Sequence, residues 1–333
     1  MKCKKTTEST SPNRFGTHFC FTSFGESHGI GVGGVVDGMP AGTPVDIVSI
    51  RTALEERSGR RQAAGTSPRA RVEDDEVEWL SGVIQAEDGS LVATGTPLAF
   101  LIRNHHQRPE DYDWLRDTNR PGHADYTYRT KYGRYYDYRG GGRASARETA
   151  ARVVAGELAA GLLLQQHISI EARLTQVGLE TDPERFDPLL REIQAAGDSI
   201  GGIVSCTITG LPAGIGEPLF DKIQCRLAAA MLSINGCKGF AYGTGFDMRP
   251  RGSELYHAGE VPCPASGGIE GGLTNGLPLT FCCAFKPAAT LTQLYGGRHD
   301  ACIAVRAVPV VRAMTALVLQ DILSMTNTTH HDQ

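Results

Sequence analysis

The sequence lacks a strong charge of either sign. Its 33 lysines and arginines stand against 37 aspartates and glutamates, which leaves a formal net charge of −4. A chain that binds nucleic acid or a membrane surface in a general way carries an excess of positive charge. The near balance argues against both functions, although it leaves room for a local basic pocket.

The chain also lacks the patterns of secreted, zinc-binding and membrane-spanning proteins. Its nine cysteines are scattered without a C-x-x-C pair, so we expect buried thiols in a reducing compartment and no metal site. The N-terminal segment is polar and has no apolar core of a signal peptide. No apolar run approaches the length of a membrane span. These features predict a cytoplasmic protein without a membrane partner.

No internal repeat, low-complexity tract or linker divides the 333 residues. We therefore predict a single domain over residues 14–325, with disordered tails at residues 1–13 and 326–333. Apolar periodicity predicts a mixture of strands and helices. Among the helices, one is expected at residues 50–57, one at 227–234 capped by Asn235 and Gly236, and one at about 309–324 with Pro309 in its first turn.

Glycine, in contrast, is abundant, and residues 120–160 contain a run of consecutive glycines. Six of the ten tyrosines fall between Tyr126 and Tyr138, and residues 140–142 are three consecutive glycines. Glycine allows positive φ and a close approach of backbone to a ligand. Ser145 and Glu148 have the S-x-x-E spacing of a capping box, which predicts a helix from about Ser145 with residues 150, 153, 154, 158 and 162 buried.

The local chemistry of this segment leaves two interpretations open. A glycine-rich turn that leads into a helix N-terminus is suited to bind an anion such as phosphate. The same residues also fit a tight turn, a capped helix and a tyrosine-rich surface. A third reading, an RNA-binding module built on interleaved arginine and tyrosine, is opposed by the net acidity and by the lack of an RNA-binding signature.

The wording of three segments resembles the chorismate synthase family. The central segment reads RPGHADYTYRTKYGRYYDYRGGGRASARETAARVVAG, an earlier one reads FGESHGIGVGGVVDGMPAG, and a later one reads GRHDACIAVRAVPVVRAM. The three segments stand in the family's order, and the resemblance runs from about residue 15 to about residue 323. It implies an α+β fold, a sandwich of two antiparallel four-stranded sheets flanked by helices.

The resemblance also implies an activity. The family are carbon–oxygen lyases that catalyse the 1,4-anti elimination of phosphate from 5-enolpyruvylshikimate 3-phosphate to give chorismate, with reduced FMN as cofactor. NADPH is implied only if the chain reduces its own flavin. A homotetramer is implied as well. A departing phosphate needs arginine donors and an acid that titrates near neutrality, which the motif arginines and histidines supply.

By resemblance, His28 faces the flavin, His123 stands with the phosphate, and Asp300 lies near the flavin N5 and helps remove the ring proton. The substrate or a nucleotide is expected to meet Arg57, Arg60 and Arg120. The residues implied to bind the cofactor are Arg143, Ala144, Ser145, Asn235, Gly236, Gly271, Lys286, Pro287, Ala288, Ala289, Thr290 and Arg298.

The sequence departs from the family pattern at several points. Pro264 and Ala265 replace an Asn-His pair, and Ala288 and Ala289 replace hydroxyl residues. The register of the arginine-rich loop over residues 57–71 is ambiguous, and the loop after Thr290 is shortened. These departures keep open an alternative, a degenerate family member that binds flavin but has weak activity.

Overall fold

Two antiparallel β-sheets with helices packed between them form the architecture of the computed structural model, which describes residues 12–60, 64–66, 74–105, 107–295 and 299–329. The strands are β1 Arg14–Phe15, β2 Cys20–Gly25, β3 Gly31–Asp37, β4 Val77–Ser81, β5 Val83–Gln85, β6 Leu91–Ala93, β7 Leu98–Arg103, β8 Ser169–Val177, β9 Gly202–Thr209, β10 Cys237–Tyr242, β11 Ile269–Glu270, β12 Leu273–Thr274 and β13 Leu279–Phe285. The α-helices are α1 Ile47–Ser58, α2 Asp125–Tyr132, α3 Thr149–Gln165, α4 Phe186–Ala195, α5 Ile223–Leu232, α6 Gly252–Leu255, α7 Thr292–Tyr295 and α8 Ile303–Thr329.

The first sheet has the strand order β1-β2-β3-β7-β4, and the second has the order β10-β13-β9-β8. The prediction of two antiparallel sheets in an α+β chain is confirmed, but the first sheet has five strands because the two-residue β1 adds to β2. Alternate residues of β7, β9 and β13 are buried. One face of each sheet therefore packs on the interior.

Two helices, α3 and α8, lie between the sheets rather than outside them. Helix α3 contacts β2, β3 and β7 of the first sheet, α8 contacts β8, β9 and β13 of the second, and α3 and α8 pack on each other. Helix α3 is buried on more than one side, which includes the predicted positions Ala150, Val153, Val154, Leu158 and Leu162. A helix that is apolar on most sides belongs in an interior layer, so the expectation of flanking helices was wrong for this pair.

Helix α8 differs most from its prediction. It begins at Ile303, so Pro309 lies inside the helix instead of in its first turn. The missing N–H of Pro309 removes one hydrogen bond, and the burial of the surrounding apolar residues offsets that loss. The helix continues to Thr329, so residues 326–329 are helical and not part of a disordered tail. Of residues 1–13, residues 1–11 lie outside the described part.

The same helix corrects the expectation about apolar runs. Its segment Ile303–Met325 is long and apolar enough to cross a membrane by length and composition alone. However, 78% of the most apolar stretch is buried inside the protein, against α3 and the second sheet. That burial is typical of a core helix.

Two other helix ends also differ from expectation. Helix α5 ends at Leu232 with Ser233 as its C-cap, so Asn235 and Gly236 lie beyond the helix. Ser145 caps a short 3₁₀ turn, Ala146–Glu148, by accepting a hydrogen bond from the Arg147 backbone N–H, and α3 follows that turn. No reciprocal capping box forms, because the Glu148 carboxylate pairs with Arg152 one helical turn later.

Candidate active site

The glycine run at residues 140–142 forms the centre of the site. All three glycines have positive φ, at +57°, +85° and +52°, which explains why glycine is required there. A Cβ on Gly140 would stand 2.1 Å from Cε1 of His28, and one on Gly141 would stand 2.9 Å from Cε1 of His123. The run therefore lies tightly against both histidines that the sequence singled out.

One side of the site is a cluster around the buried carboxylate of Asp125, at the start of α2. Arg120 donates to it from its backbone N–H, from Nε at 2.8 Å and from Nη2 at 2.9 Å. Nδ1 of His123 lies 2.7 Å from Oδ1, and the Tyr136 hydroxyl donates to the same oxygen at 2.9 Å. Arg120 also reaches the Thr290 hydroxyl through Nη1 at 3.2 Å.

This cluster keeps Asp125 negatively charged. Burial raises the pKa of the Asp125 carboxyl, but the hydrogen bonds from Arg120 and His123 outweigh it and hold that pKa well below its usual range. Burial and the hydrogen bond to Asp125 raise the pKa of Tyr136, so its hydroxyl remains a donor. The cluster therefore presents a fixed guanidinium and an oriented imidazole.

The opposite wall comes from the segments next to β10 and β13. Lys286 donates from Nζ to the Gly122 carbonyl at 2.6 Å, and burial together with nearby Lys238 lowers its pKa. Asn235 donates from Nδ2 to the Ala144 carbonyl at 2.9 Å. Its Oδ1 is buried and has no hydrogen-bond partner within the described residues. That oxygen is available to accept a hydrogen bond from a ligand.

A third wall is formed at the start of α8. Asp300 accepts a hydrogen bond from Nη1 of Arg306 at 2.9 Å, and Nε of Arg306 donates to the Arg57 carbonyl at 2.8 Å. These contacts join α8 to the end of α1. Arg57 itself is 1% exposed, and its Nη2 donates to Asp75 at 2.9 Å.

Asp75 lies between two arginines. It pairs with Arg57 and with Arg147, which also donates to the Asn104 side chain. Burial raises the pKa of the Asp75 carboxyl, but the two guanidinium groups outweigh that effect and lower it to about 2. The Arg57 guanidinium is therefore held in place at the edge of the site by a permanently charged partner.

These walls enclose a cavity of about 530 Å³, a size suited to a small-molecule ligand. The predicted site residues that line it are Arg57, Arg120, His123, Ala144, Ser145, Asn235, Gly236, Lys286, Ala288, Ala289, Thr290 and Asp300. They come from parts of the chain far apart in sequence, and the fold brings them together.

Other predicted residues lie off this cavity. His28 is buried behind Gly140, with its ring edge-on to Tyr112 at 4.7 Å, and both Gly140 and Tyr112 line the cavity. Arg143 donates to Ser23 and to the carbonyl of residue 25. Arg60 pairs with Asp74 at a separate cavity of about 420 Å³.

The remaining predicted residues are not on the cavity wall either. Gly271 is exposed at the turn between β11 and β12, and Pro287 is exposed beside Gly201. Arg298 lies outside the described residues. Of the sequence departures, Ala288 and Ala289 line the cavity, whereas Ala265 lines a different groove.

The residues of the site that were not singled out from the sequence include Asp125, Tyr112, His299 and Arg306. Three of them stand inside the segments that carried the resemblance, in RPGHAD and GRHDACIAVR. Asp125 follows His123 by two positions, which is a signal for a histidine–carboxylate pair. Tyr112 lies in the 3₁₀ helix Pro109–Arg116, and no sequence pattern distinguished it.

The comparisons with known proteins indicate one family. Residues 19–324 match the family described as chorismate synthase. The chorismate synthase of Christiangramia forsetii is 44% identical over 352 residues, covering 93% of this chain and 96% of that protein. That of Phocaeicola vulgatus is 44% identical over 363 residues, covering 95% and 99%. A crystal structure of chorismate synthase superimposes with a TM-score of 0.71 at 27% identity, covering 94% of this chain and 93% of that one.

The two-sheet fold and the cation-rich cavity define an enzyme that acts on a small anionic substrate. The chain belongs to the chorismate synthase family. It is accordingly a carbon–oxygen lyase that eliminates phosphate from 5-enolpyruvylshikimate 3-phosphate to form chorismate.

Proposed function

We propose that the cavity holds reduced FMN and the phosphorylated substrate together, and that His123 protonates the departing phosphate while Arg120 binds it. The observation that carries this proposal is the cluster that Arg120 and His123, on one wall of the cavity, form with the buried Asp125. Loss of phosphate is favoured by guanidinium donors and by a positioned general acid. The cluster supplies both groups within 3.1 Å of each other.

The orientation of His123 supports its role as the acid. Its Nδ1 is engaged by the Asp125 carboxylate, so Nε2 is the nitrogen that gives its proton to a bound phosphate. Arg57 and Arg306 line the same cavity and add positive charge for a substrate that carries phosphate and carboxylate groups.

The opposite wall fits a flavin ring. The unpartnered Oδ1 of Asn235 suits a ring N–H, and Gly236, at a φ of +81°, has no side chain to obstruct a flat ligand. Ala144, Ser145, Ala288 and Ala289 add small side chains to this wall. When bound, reduced FMN supplies an electron-rich ring that assists the elimination. Lys286, held against the Gly122 carbonyl, favours an anionic ring beside it.

Two further residues complete the proposed mechanism. Asp300 assists removal of the ring proton, and its carboxylate is held for that task by Arg306. His28 acts from behind Gly140 by supporting the glycine run and Tyr112. Both assignments follow from the family motifs together with these contacts.

We also propose the wider properties that the family implies. One catalytic domain over residues 14–325 is supported by the continuous cluster of buried apolar residues. A homotetrameric, cytoplasmic enzyme rests on the family resemblance alone, as do the cofactor contacts of Arg143, Gly271, Pro287 and Arg298. If the chain reduces its own flavin with NADPH, Arg60 is the proposed contact for that nucleotide.

Anaerobic incubation with the substrate and chemically reduced FMN tests the proposal. We expect chorismate to form with reduced FMN and not with FMN omitted. We also expect a higher melting temperature with both ligands, since a ligand at ~100 times its dissociation constant adds ~2.7 kcal/mol to stability. Binding without turnover would favour a degenerate family member, and a gel shift with RNA in place of both effects would favour an RNA-binding module.

A further inference from the structure

The carboxylate of Asp125 accepts five hydrogen bonds from residues beside the cavity, yet Asp125 is not on the cavity wall. It is 1% exposed and accepts from the backbone and guanidinium of Arg120, from His123 and from Tyr136. A buried carboxylate is costly unless such donors surround it. Asp125 contacts both groups that we propose act on phosphate, which suggests a function for it.

We propose that Asp125 is a positioning residue that fixes the His123 tautomer and the Arg120 guanidinium as one unit, an inference that rests on the proposed function of these two residues. We propose that Asp125 itself does not contact the substrate. It acts by deciding which nitrogen of His123 and which edge of Arg120 face the phosphate.

The tautomer follows from the donors and acceptors at the carboxylate. An ionised carboxylate only accepts, so the 2.7 Å contact requires a proton on Nδ1 of His123. Nη2 of Arg120 lies 3.1 Å from the same nitrogen, but it too is a donor, and its proton goes to Oδ1 of Asp125 at 2.9 Å. Neutral His123 therefore carries its proton on Nδ1, which leaves Nε2 to take up and release the proton that is used in catalysis.

The guanidinium is fixed by the same carboxylate. Nε and Nη2 of Arg120 bind its two oxygens side by side, a bidentate arrangement that sets the plane of the group. Nη1 is steadied by the Thr290 hydroxyl. Since Arg120 is only 5% exposed, its remaining N–H groups have few directions open to them other than the cavity.

The carboxylate of Asp125 is also the acidic group in direct contact with the imidazole of His123. The other titratable or charged groups that line the cavity or pack against the glycine run around His123 are Arg57, Arg120, Tyr128, Lys286, His299, Asp300, Arg306 and His28. Four of these groups, Arg57, Arg120, Lys286 and Arg306, are cationic, whereas the carboxylate of Asp125 is the negative charge in contact with the imidazole.

The test compares Asp125→Asn with Asp137→Asn. Asp137 also holds an arginine through both oxygens, in the same segment, but it contacts no histidine. With histidine-selective ¹⁵N labelling, His123 is assigned by the signal lost in His123→Ala. We expect a proton on Nδ1 in the wild-type chain, a shift toward an Nε2 proton in Asp125→Asn, and no shift in Asp137→Asn.

In the anaerobic assay we expect kcat of Asp125→Asn to fall by about 10²–10⁴-fold, as for loss of a general acid, with KM raised because Arg120 is released. Asp137→Asn should keep wild-type kcat. If Asp125→Asn folds and retains the Nδ1 tautomer of His123, the proposal is wrong. Because the tautomer is read without turnover, this failure is distinct from failure of the function, which an active His123→Ala would signal.

Asp125→Asn could fail to fold, because it alters a buried charge. Tyr136→Phe then provides the second variant, since it removes one donor from Oδ1 and keeps the carboxylate. We expect the wild-type tautomer and a modest fall in kcat, within about tenfold, because one hydrogen bond contributes about 1 kcal/mol. A His123 signal in Tyr136→Phe with the proton on Nε2 would contradict the proposal.

Discussion

Single glycines decide how closely the loops of this site approach each other. Gly140 and Gly141 both adopt positive φ, and each faces a histidine ring at a distance that leaves no room for a side chain. Glycine is therefore required for two reasons: the backbone adopts a positive φ, and a side chain would overlap a histidine ring. At other glycines of this chain, such as Gly42, only the conformational need applies.

Gly140→Ala should be much more harmful than a glycine substitution in open space. Its Cβ would overlap the His28 ring, so we expect a loss of about 2–4 kcal/mol from overpacking and backbone strain together, with lower turnover. Gly42→Ala, at a φ of +79° with no atom within 4 Å of its Cβ, should lose only about 1 kcal/mol and keep its activity. Urea unfolding and the anaerobic assay measure both. Equal losses in the two variants would show that the His28 contact is unimportant.

Asp75 gives the site a pH-dependent contribution to stability. Its folded-state pKa is lowered from 3.8 to about 2, so its contribution is complete above about pH 4 and is lost as pH falls through 2. At pH 7, Asp75→Asn should cost about 2 kcal/mol or more in the free energy of unfolding. The difference from wild type should shrink between pH 4 and pH 2.

Urea unfolding at pH 7, 4 and 3 provides the measurement for Asp75. Glu78→Gln is the control, because Glu78 pairs with Arg103 at the surface and such pairs contribute little. Its stability should stay near that of the wild-type chain at each pH. A difference for Asp75→Asn that is constant from pH 7 to pH 3 would contradict the account.

At the scale of secondary-structure elements, the contact between α3 and α8 holds the middle layer together. Gly156 is the point of closest approach: a Cβ there would lie 2.4 Å from Cα and 2.7 Å from the carbonyl oxygen of Ala313. Both atoms belong to the backbone of α8, so a neighbouring side chain cannot move aside to relieve the overlap. The spacing of these helices in turn sets the position of the Asp300–Arg306 wall at the start of α8.

Two substitutions in the same helix test this packing. Gly156→Ala should destabilise the protein by about 1–3 kcal/mol, because it overpacks the interface. Gly161→Ala has no atom within 4 Å of its new Cβ and should be neutral or stabilising by up to about 1 kcal/mol, from helix propensity. Thermal unfolding of both variants provides the comparison. A neutral Gly156→Ala would mean that α3 and α8 can separate without cost.

Elements were predictable where the pattern was local. The helix α3 was predicted because its apolar residues recur at helical spacing, and the predicted positions 150, 153, 154, 158 and 162 are buried. The start of α8 was not, because a proline typical of a first turn stands inside the helix at Pro309. The order of the layers was also missed, since it depends on which helices meet and not on any single helix.

At the scale of the whole molecule, most of the residues singled out from the sequence line one cavity, but the sequence did not predict their geometry. His123, Asn235, Lys286 and Asp300 were found from motif wording, and the fold brings them to one cavity. That His28 stands behind Gly140 depends on distances between loops, which no motif encodes. Asp125 was overlooked because its role appears only in the contacts that it makes with Arg120 and His123.

The most direct measurement is single-turnover formation of chorismate by His123→Ala, under anaerobic conditions with chemically reduced FMN. The control is His18→Ala, which removes an exposed imidazole that does not line the cavity. We predict that His123→Ala is slower than the wild-type chain by about 10²–10⁴-fold with nearly unchanged flavin affinity, and that His18→Ala matches the wild type. Wild-type turnover by His123→Ala would contradict the assignment of His123 as the acid that releases phosphate.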